Sequence, residues 1–151
     1  MTILQSMKEQ LATWDVKILA TDIDSNVLSK ARAGIYVDKD DLMTPSIKKQ
    51  FFSRGTGQNS QRMKINENVK KYITFKQLNL LNEWPMKGPF DVIFCRNVVI
   101  YFDKETQQDL FSRFYQLLSP GGLLILGHSE NLGKCQEYFE NIGRTVFRKP
   151  L

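Results

Sequence analysis

The sequence holds one histidine, His128, and two cysteines, Cys95 and Cys135. These form no metal-ligand spacing and no paired-thiol redox motif, and no Ser-His-Asp set stands out. Cys95 falls in an apolar run, where a reduced core thiol is expected. No apolar stretch approaches the roughly 18 residues that span a bilayer. The first residues, Met1 to Lys8, lack the apolar centre of a secretory signal. There is no Gly-x-Gly-x-x-Gly after a strand, which argues against a nicotinamide oxidoreductase. No basic repeat interleaved with aromatics argues for nucleic acid, and no internal repeat or low-complexity linker is present. Together these absences leave a cytoplasmic globular domain without direct membrane insertion.

What is present fits one α/β domain. The 151 residues suffice for a real core, and the apolar and charged fractions, 42% and 25%, are ordinary. The net charge is +5. Most of it lies between Tyr36 and Ile73. There Lys39, Lys48, Lys49, Arg54, Arg62, Lys64, Lys70 and Lys71 face only Asp38, Asp40, Asp41 and Glu67. This is either a solvated lysine-rich surface or a docking surface for an acidic protein.

The chain is organised around residues 91–102, Asp-Val-Ile-Phe-Cys-Arg-Asn-Val-Val-Ile-Tyr-Phe. The run Val92 to Cys95 suits a strand buried on both faces of a parallel sheet. Polarity then changes at Arg96-Asn97, just past the strand's carboxyl end, where open α/β sheets bind ligands.

In order, Met1 to Thr13 reads as a helix, with Ile3, Leu4, Met7, Leu11 and Trp14 as its apolar stripe. Val16 to Ala20 is a strand ending in Thr21-Asp22. Asp24 caps a helix over 25–33 that Gly34 ends. Asp22 is either a turn-forming residue or an acceptor for ribose hydroxyls. Residues 36–72 break the α/β rhythm. Thr44 and Pro45 open a short helix over 46–52. Arg54-Gly55-Thr56-Gly57 makes a turn, and 62–65 is a half-exposed strand, so a helix and a short hairpin form a small inserted β-subdomain. Its Gly-x-Gly suits a hairpin turn more than a phosphate cradle. Strands follow over 73–78 and 90–95, then a helix over 104–118 capped by Asp103 and stopped by Ser119-Pro120-Gly121-Gly122. A strand over 123–126 ends in Gly127-His128, and 138–147 reads as two short strands around Asn141-Ile142-Gly143.

Six ordered motifs, Ala20–Asp24, Ala31–Tyr36, Arg54–Gly57, Asn79–Leu81, Phe90–Phe102 and Gly127–Glu130, closely resemble the catalytic domain of the CheR-type chemotaxis receptor methyltransferases. The resemblance covers nearly the whole chain. It implies a Rossmann-like class I methyltransferase fold, with residues 1–35 and 73–151 as core and 36–72 as inserted β-subdomain. It further implies transfer of a methyl from S-adenosylmethionine to receptor glutamates, leaving S-adenosylhomocysteine.

By the same resemblance, Asp22 binds the adenosine ribose and Asn79 and Leu80 flank the adenine. Arg96 and Asn97 lie beside the methionine end, and Tyr101 lies near the transferred methyl. Arg54, Gly55, Thr56 and Gly57 would hold a peptide from the receptor's C-terminal tail by strand addition. The partner would be the cytoplasmic domain or C-terminal peptide of a chemotaxis receptor.

The residue types suit that chemistry. A glutamate carboxylate, with a reference pKa of about 4.3, is already ionised near neutrality, so no strong base is needed. Positioning and water exclusion suffice. Arg96 either orients the substrate carboxylate or pairs with a neighbouring acid. Tyr101 serves the site or packs, and His128 is a base or a hydrogen-bonded strand-end residue.

The family's first strand and Gly-rich loop, expected before the first helix, are not in the sequence, which makes it an N-terminally truncated version of the fold. An open sheet edge would follow, a route to dimerisation. Two readings result: a methyltransferase domain, or a catalytically inactive fragment that binds a receptor peptide or partner.

Overall fold

The computed structural model describes residues 13–38 and 43–151. They fall into two compact units, divided between Asn79 and Leu80. The expected N-terminal helix lies outside the described residues, apart from Thr13.

The first unit holds a parallel pair, β1 (Ile18–Asp22) and β5 (Ile73–Gln77), in register from Ile18 opposite Ile73 to Asp22 opposite Gln77. β1 begins two residues later than expected and runs through Asp22 itself. Helix α1 (Ser25–Ala33) follows. Asp24 caps it by accepting the Asn26 N–H at 2.7 Å, and Gly34, at φ 64°, ends it. A Cβ on Gly34 would lie 2.8 Å from Ile65 Cγ2, so space as well as φ requires glycine.

Between β1 and β5 stands a three-stranded antiparallel sheet in the order β2-β4-β3: β2 (Ile35–Val37), β3 (Phe52–Arg54) and β4 (Arg62–Ile65). β2 replaces the expected two-stranded hairpin with three strands. Its three residues are all exposed, so no polar-apolar alternation marked it. Helix α2 (Pro45–Phe51), capped by Thr44, and the short α3 (Glu67–Lys70) complete a separate core of Phe51, Phe52, Met63 and Val69.

The second unit is a four-stranded sheet in the order β6-β7-β9-β8. β6 (Phe90–Cys95) is parallel to β7 (Leu118–Leu126), while β9 (Val146–Arg148) and β8 (Glu140–Gly143) add an antiparallel edge. Helix α4 (Lys104–Leu117) brings Leu110, Phe111 and Phe114 onto one sheet face.

Two expectations are corrected here. β7 starts at Leu118 rather than Leu123, because Leu118 pairs with Phe90 and the Ser119–Gly122 turn bulges out before Leu123 meets Val92. The β8–β9 turn falls at Arg144-Thr145, not at 141–143, since Gly143 pairs with Val146.

The reading of β6 as buried on both faces is also wrong. Cys95 and Ile93 join the core under α4, but Val92 and Phe94 are 42% and 62% exposed. Side chains alternate along a strand, and α4 covers only one of the two faces. Among the described residues, no helix is long and apolar enough to cross a membrane.

Candidate functional site

Both parallel pairs end in polar residues, as the sequence anticipates. In the first unit, the Leu78 N–H donates to the Asp22 carbonyl at 2.9 Å. The residue after Leu78 is Asn79, so Asp22 and Asn79 come to the same carboxyl edge of β1 and β5. Gln77 Nε2 also donates to the Ile23 carbonyl, at 2.9 Å, tying the two strand ends. Asp22 Oδ1 accepts the Asp24 N–H at 2.9 Å. The turn role weighed for Asp22 is therefore real for one oxygen, and it fixes the direction of the carboxylate.

In the second unit, Arg96 and Asn97 directly follow the end of β6, and Tyr101 comes four residues later. Asn97 has φ 59°, a left-handed conformation that asparagine tolerates better than most residues. The chain then turns through Val98 into a 3₁₀ turn over Val99–Tyr101. Tyr101 is 80% exposed, so packing does not explain it. Arg96 is exposed and enters no ion pair among the described residues. His128 is exposed. Leu80 is half-buried against the core of this unit.

Arg113 Nη1 and Trp84 Nε1 both donate to the Leu80 carbonyl, at 2.8 and 3.1 Å, and Arg113 Nη2 reaches the Asn82 carbonyl. The guanidinium lies 3.9 Å over the Trp84 ring, so one arginine fixes the loop after Asn79.

The residue that sequence reasoning passed over is Glu130. It closes the Gly127-His128-Ser129-Glu130 motif after β7 and is only 7% exposed. Its Oε1 accepts the N–H groups of Val98 and Val99, each at 2.9 Å. Its Oε2 accepts those of Asn97 at 3.1 Å and Gly127 at 2.6 Å. Burial pushes the carboxyl upward, but the bonds from Gly127, Val98, Asn97 and Val99 together outweigh it and hold it below the ordinary glutamate range. Burial, with the nearby Glu130 charge, pushes the Cys95 thiol up to about 12, so Cys95 stays protonated and inert. A Cβ on Gly127 would lie 2.7 Å from Glu130 Oε2 and 2.9 Å from Asn97 Oδ1, so the approach demands glycine. The available signal was an acid three residues after a strand-end glycine.

Arg54, expected in the turn, is instead the last residue of β3, and Gly55, Thr56 and Gly57 lead from it toward β4. Arg54 pairs with Met63, and the Gly55 N–H donates to the Arg62 carbonyl at 2.8 Å. Gly55 has no room for a side chain, with Asn59 O 2.2 Å from its Cβ position, and Gly57 sits at φ 56°. The turn continues as a 3₁₀ segment over Gly57–Asn59. Among the described residues, no group of three or more His, Cys, Asp or Glu side chains could hold a metal ion.

A family profile described as "CheR methyltransferase, SAM binding domain" matches residues 1–148. The chain is 47% identical to a "Probable chemotaxis protein methyltransferase" of Rhizobium etli over 98% of its length, covering 56% of that protein. It is 43% identical to "Chemotaxis protein methyltransferase 2" of Pseudomonas aeruginosa, over 97% of this chain and 54% of that one. With the "Chemotaxis protein methyltransferase" of Escherichia coli the identity is 42%, over 97% and 51%. The chain thus spans about half the length of the curated relatives it matches. It belongs to the family of CheR methyltransferase SAM-binding domains.

Proposed function

We propose that this chain is the methyl-donor-binding part of a protein-glutamate O-methyltransferase acting on chemotaxis receptors in the cytoplasm. The observation that carries the reading is the polar corner Arg96-Asn97, held at the end of β6 beside an exposed Tyr101. When bound, S-adenosylmethionine supplies an electrophilic methyl that passes to a substrate carboxylate oxygen as the carbon–sulfur bond breaks and sulfur keeps the electron pair.

The donor set suits that group. Asp22 offers acceptor oxygens for ribose hydroxyls, and Asn79 and Leu80 border the base. Arg96 and Asn97 offer a cation and an amide to the amino-acid end. No proton moves, so the protein needs no base. Arg96 also has the charge to orient the substrate carboxylate by a charge-assisted bond. Tyr101 excludes water from the methyl and shapes its approach.

In this reading residues 1–35 and 73–151 are a Rossmann-like core and 36–72 an inserted β-subdomain. The independent core of Phe51, Phe52, Met63 and Val69 supports the latter. The Arg54–Gly57 segment would take a receptor C-terminal peptide as an added strand beside β3. A dimer through an open sheet edge would use β1, the strand ending at Asp22, which pairs with β5 alone among the described strands.

The test is transfer of isotope-labelled methyl from S-adenosylmethionine to a receptor cytoplasmic domain, read as base-labile methanol. Label lost on Glu→Gln substitution of the receptor's acceptor sites supports the reading. No transfer, with peptide binding intact, would favour the binding-module alternative.

A further inference from the structure

We propose that Glu130 is a positioning residue. With Gln107 it forms a two-sided clamp that holds residues 97–102 so that Arg96, Asn97 and Tyr101 face the methyl donor and its acceptor. The inference rests on the donor-binding reading above and deepens it.

The geometry is saturated. A carboxylate offers about four acceptor directions. Here each oxygen accepts two backbone N–H groups, Val98 and Val99 on one, Asn97 and Gly127 on the other. Glu130 therefore has no acceptor capacity left for a ligand, so its influence on the site runs through the backbone. Its partners come from the loops after β6 and after β7, and the carboxylate joins them. It also serves as a remote cap for the 3₁₀ turn, whose own preceding residue, Val98, makes no side-chain cap bond.

Gln107, on the first turns of α4, holds the opposite pole. Its Nε2 donates to the carbonyls of Val99 at 3.0 Å and Phe102 at 2.9 Å. The turn bearing Tyr101 is thus fixed by its N–H groups at one end and its carbonyls at the other. An exposed tyrosine at the tip of an unclamped loop would sample many directions, and ordering it on binding would cost entropy. A clamp lowers that cost before the ligand arrives.

Glutamine at 130 keeps the shape but turns two donors toward backbone N–H groups, so half the bonds are lost. Aspartate keeps the charge but is one methylene too short to reach all four. The experiment compares the wild-type chain with Glu130→Gln, Glu130→Asp and Gln107→Ala by amide hydrogen exchange and by calorimetric titration with S-adenosylhomocysteine.

Glu130→Gln should expose the amides of Asn97, Val98, Val99 and Gly127 to exchange while β8 and β9 stay protected. At a temperature where both proteins are folded, it should weaken binding by about tenfold or more. Glu130→Asp should recover part of both. If Glu130→Gln does not fold, Gln107→Ala carries the test and should loosen the 97–102 turn and weaken binding. Binding equal to wild type in the folded variants, whether or not the amides open, overturns the positioning role. Absence of binding to the wild-type chain overturns the donor-binding reading itself.

Discussion

Glu130 Oε1 accepts the Val99 N–H at 2.9 Å, across 31 residues of sequence. This bond and its three companions join the ends of two parallel strands through one buried charge. A buried carboxylate without a cation is costly unless it is fully hydrogen-bonded. This one is, and its folded-state pKa is lowered as a result.

That lowering sets a pH dependence. The unfolded chain binds the proton more tightly, so stability rises with pH between the folded pKa and about 4.5. The contribution is present in full above that range and is lost as pH falls through the folded pKa. Chemical denaturation from pH 3 to pH 7 (a range of about four units spanning the glutamate reference) should show a steeper acid limb for the wild type than for Glu130→Gln.

Asn97 tests the corner from the backbone side. A β-branched residue at φ 59° carries a strain of about 1–2 kcal/mol. Asn97→Val should lose at least that much in urea unfolding, while Asn97→Gly should hold its stability and lose only what the amide contributes to binding.

Leu124 is fully buried between α4 and the sheet. Leu124→Ala should cost about 2–5 kcal/mol by loss of burial and creation of a cavity. The same substitution at exposed Val92 should change stability by less than about 0.5 kcal/mol. Equal losses at the two sites would contradict the one-sided burial of this sheet.

The peptide reading separates from the donor reading at Gly55. Gly55→Pro removes the N–H that donates to the Arg62 carbonyl. Fluorescence titration with a receptor C-terminal peptide should show binding lost in Gly55→Pro and kept in Asp22→Ala. Loss in Asp22→Ala alone would sever the β-subdomain from peptide recognition.

Much of this was legible in the residues. The caps Asp24, Thr44 and Asp103 each accept a backbone N–H in their helix's first turn, because short acceptor side chains leave few alternatives there. β6 fell on its expected residues because turn formers bound its apolar run. Its burial was misjudged because continuous apolarity suits either one covered face or two, and only tertiary packing decides. β2 escaped notice because three exposed apolar residues carry no period. Glu130 escaped because its partners are backbone N–H groups, which every sequence has. Sequence names donors and acceptors on side chains, but a four-amide cradle exists only once two loops meet.

The central proposal is that this chain binds the methyl donor and that Asp22 takes its ribose. Calorimetric titration of the wild-type chain and of Asp22→Ala with S-adenosylhomocysteine tests it most directly. The account predicts saturable one-to-one binding to the wild type and its loss in a folded Asp22→Ala. No heat from the wild type at millimolar ligand, or equal binding by both, would contradict it.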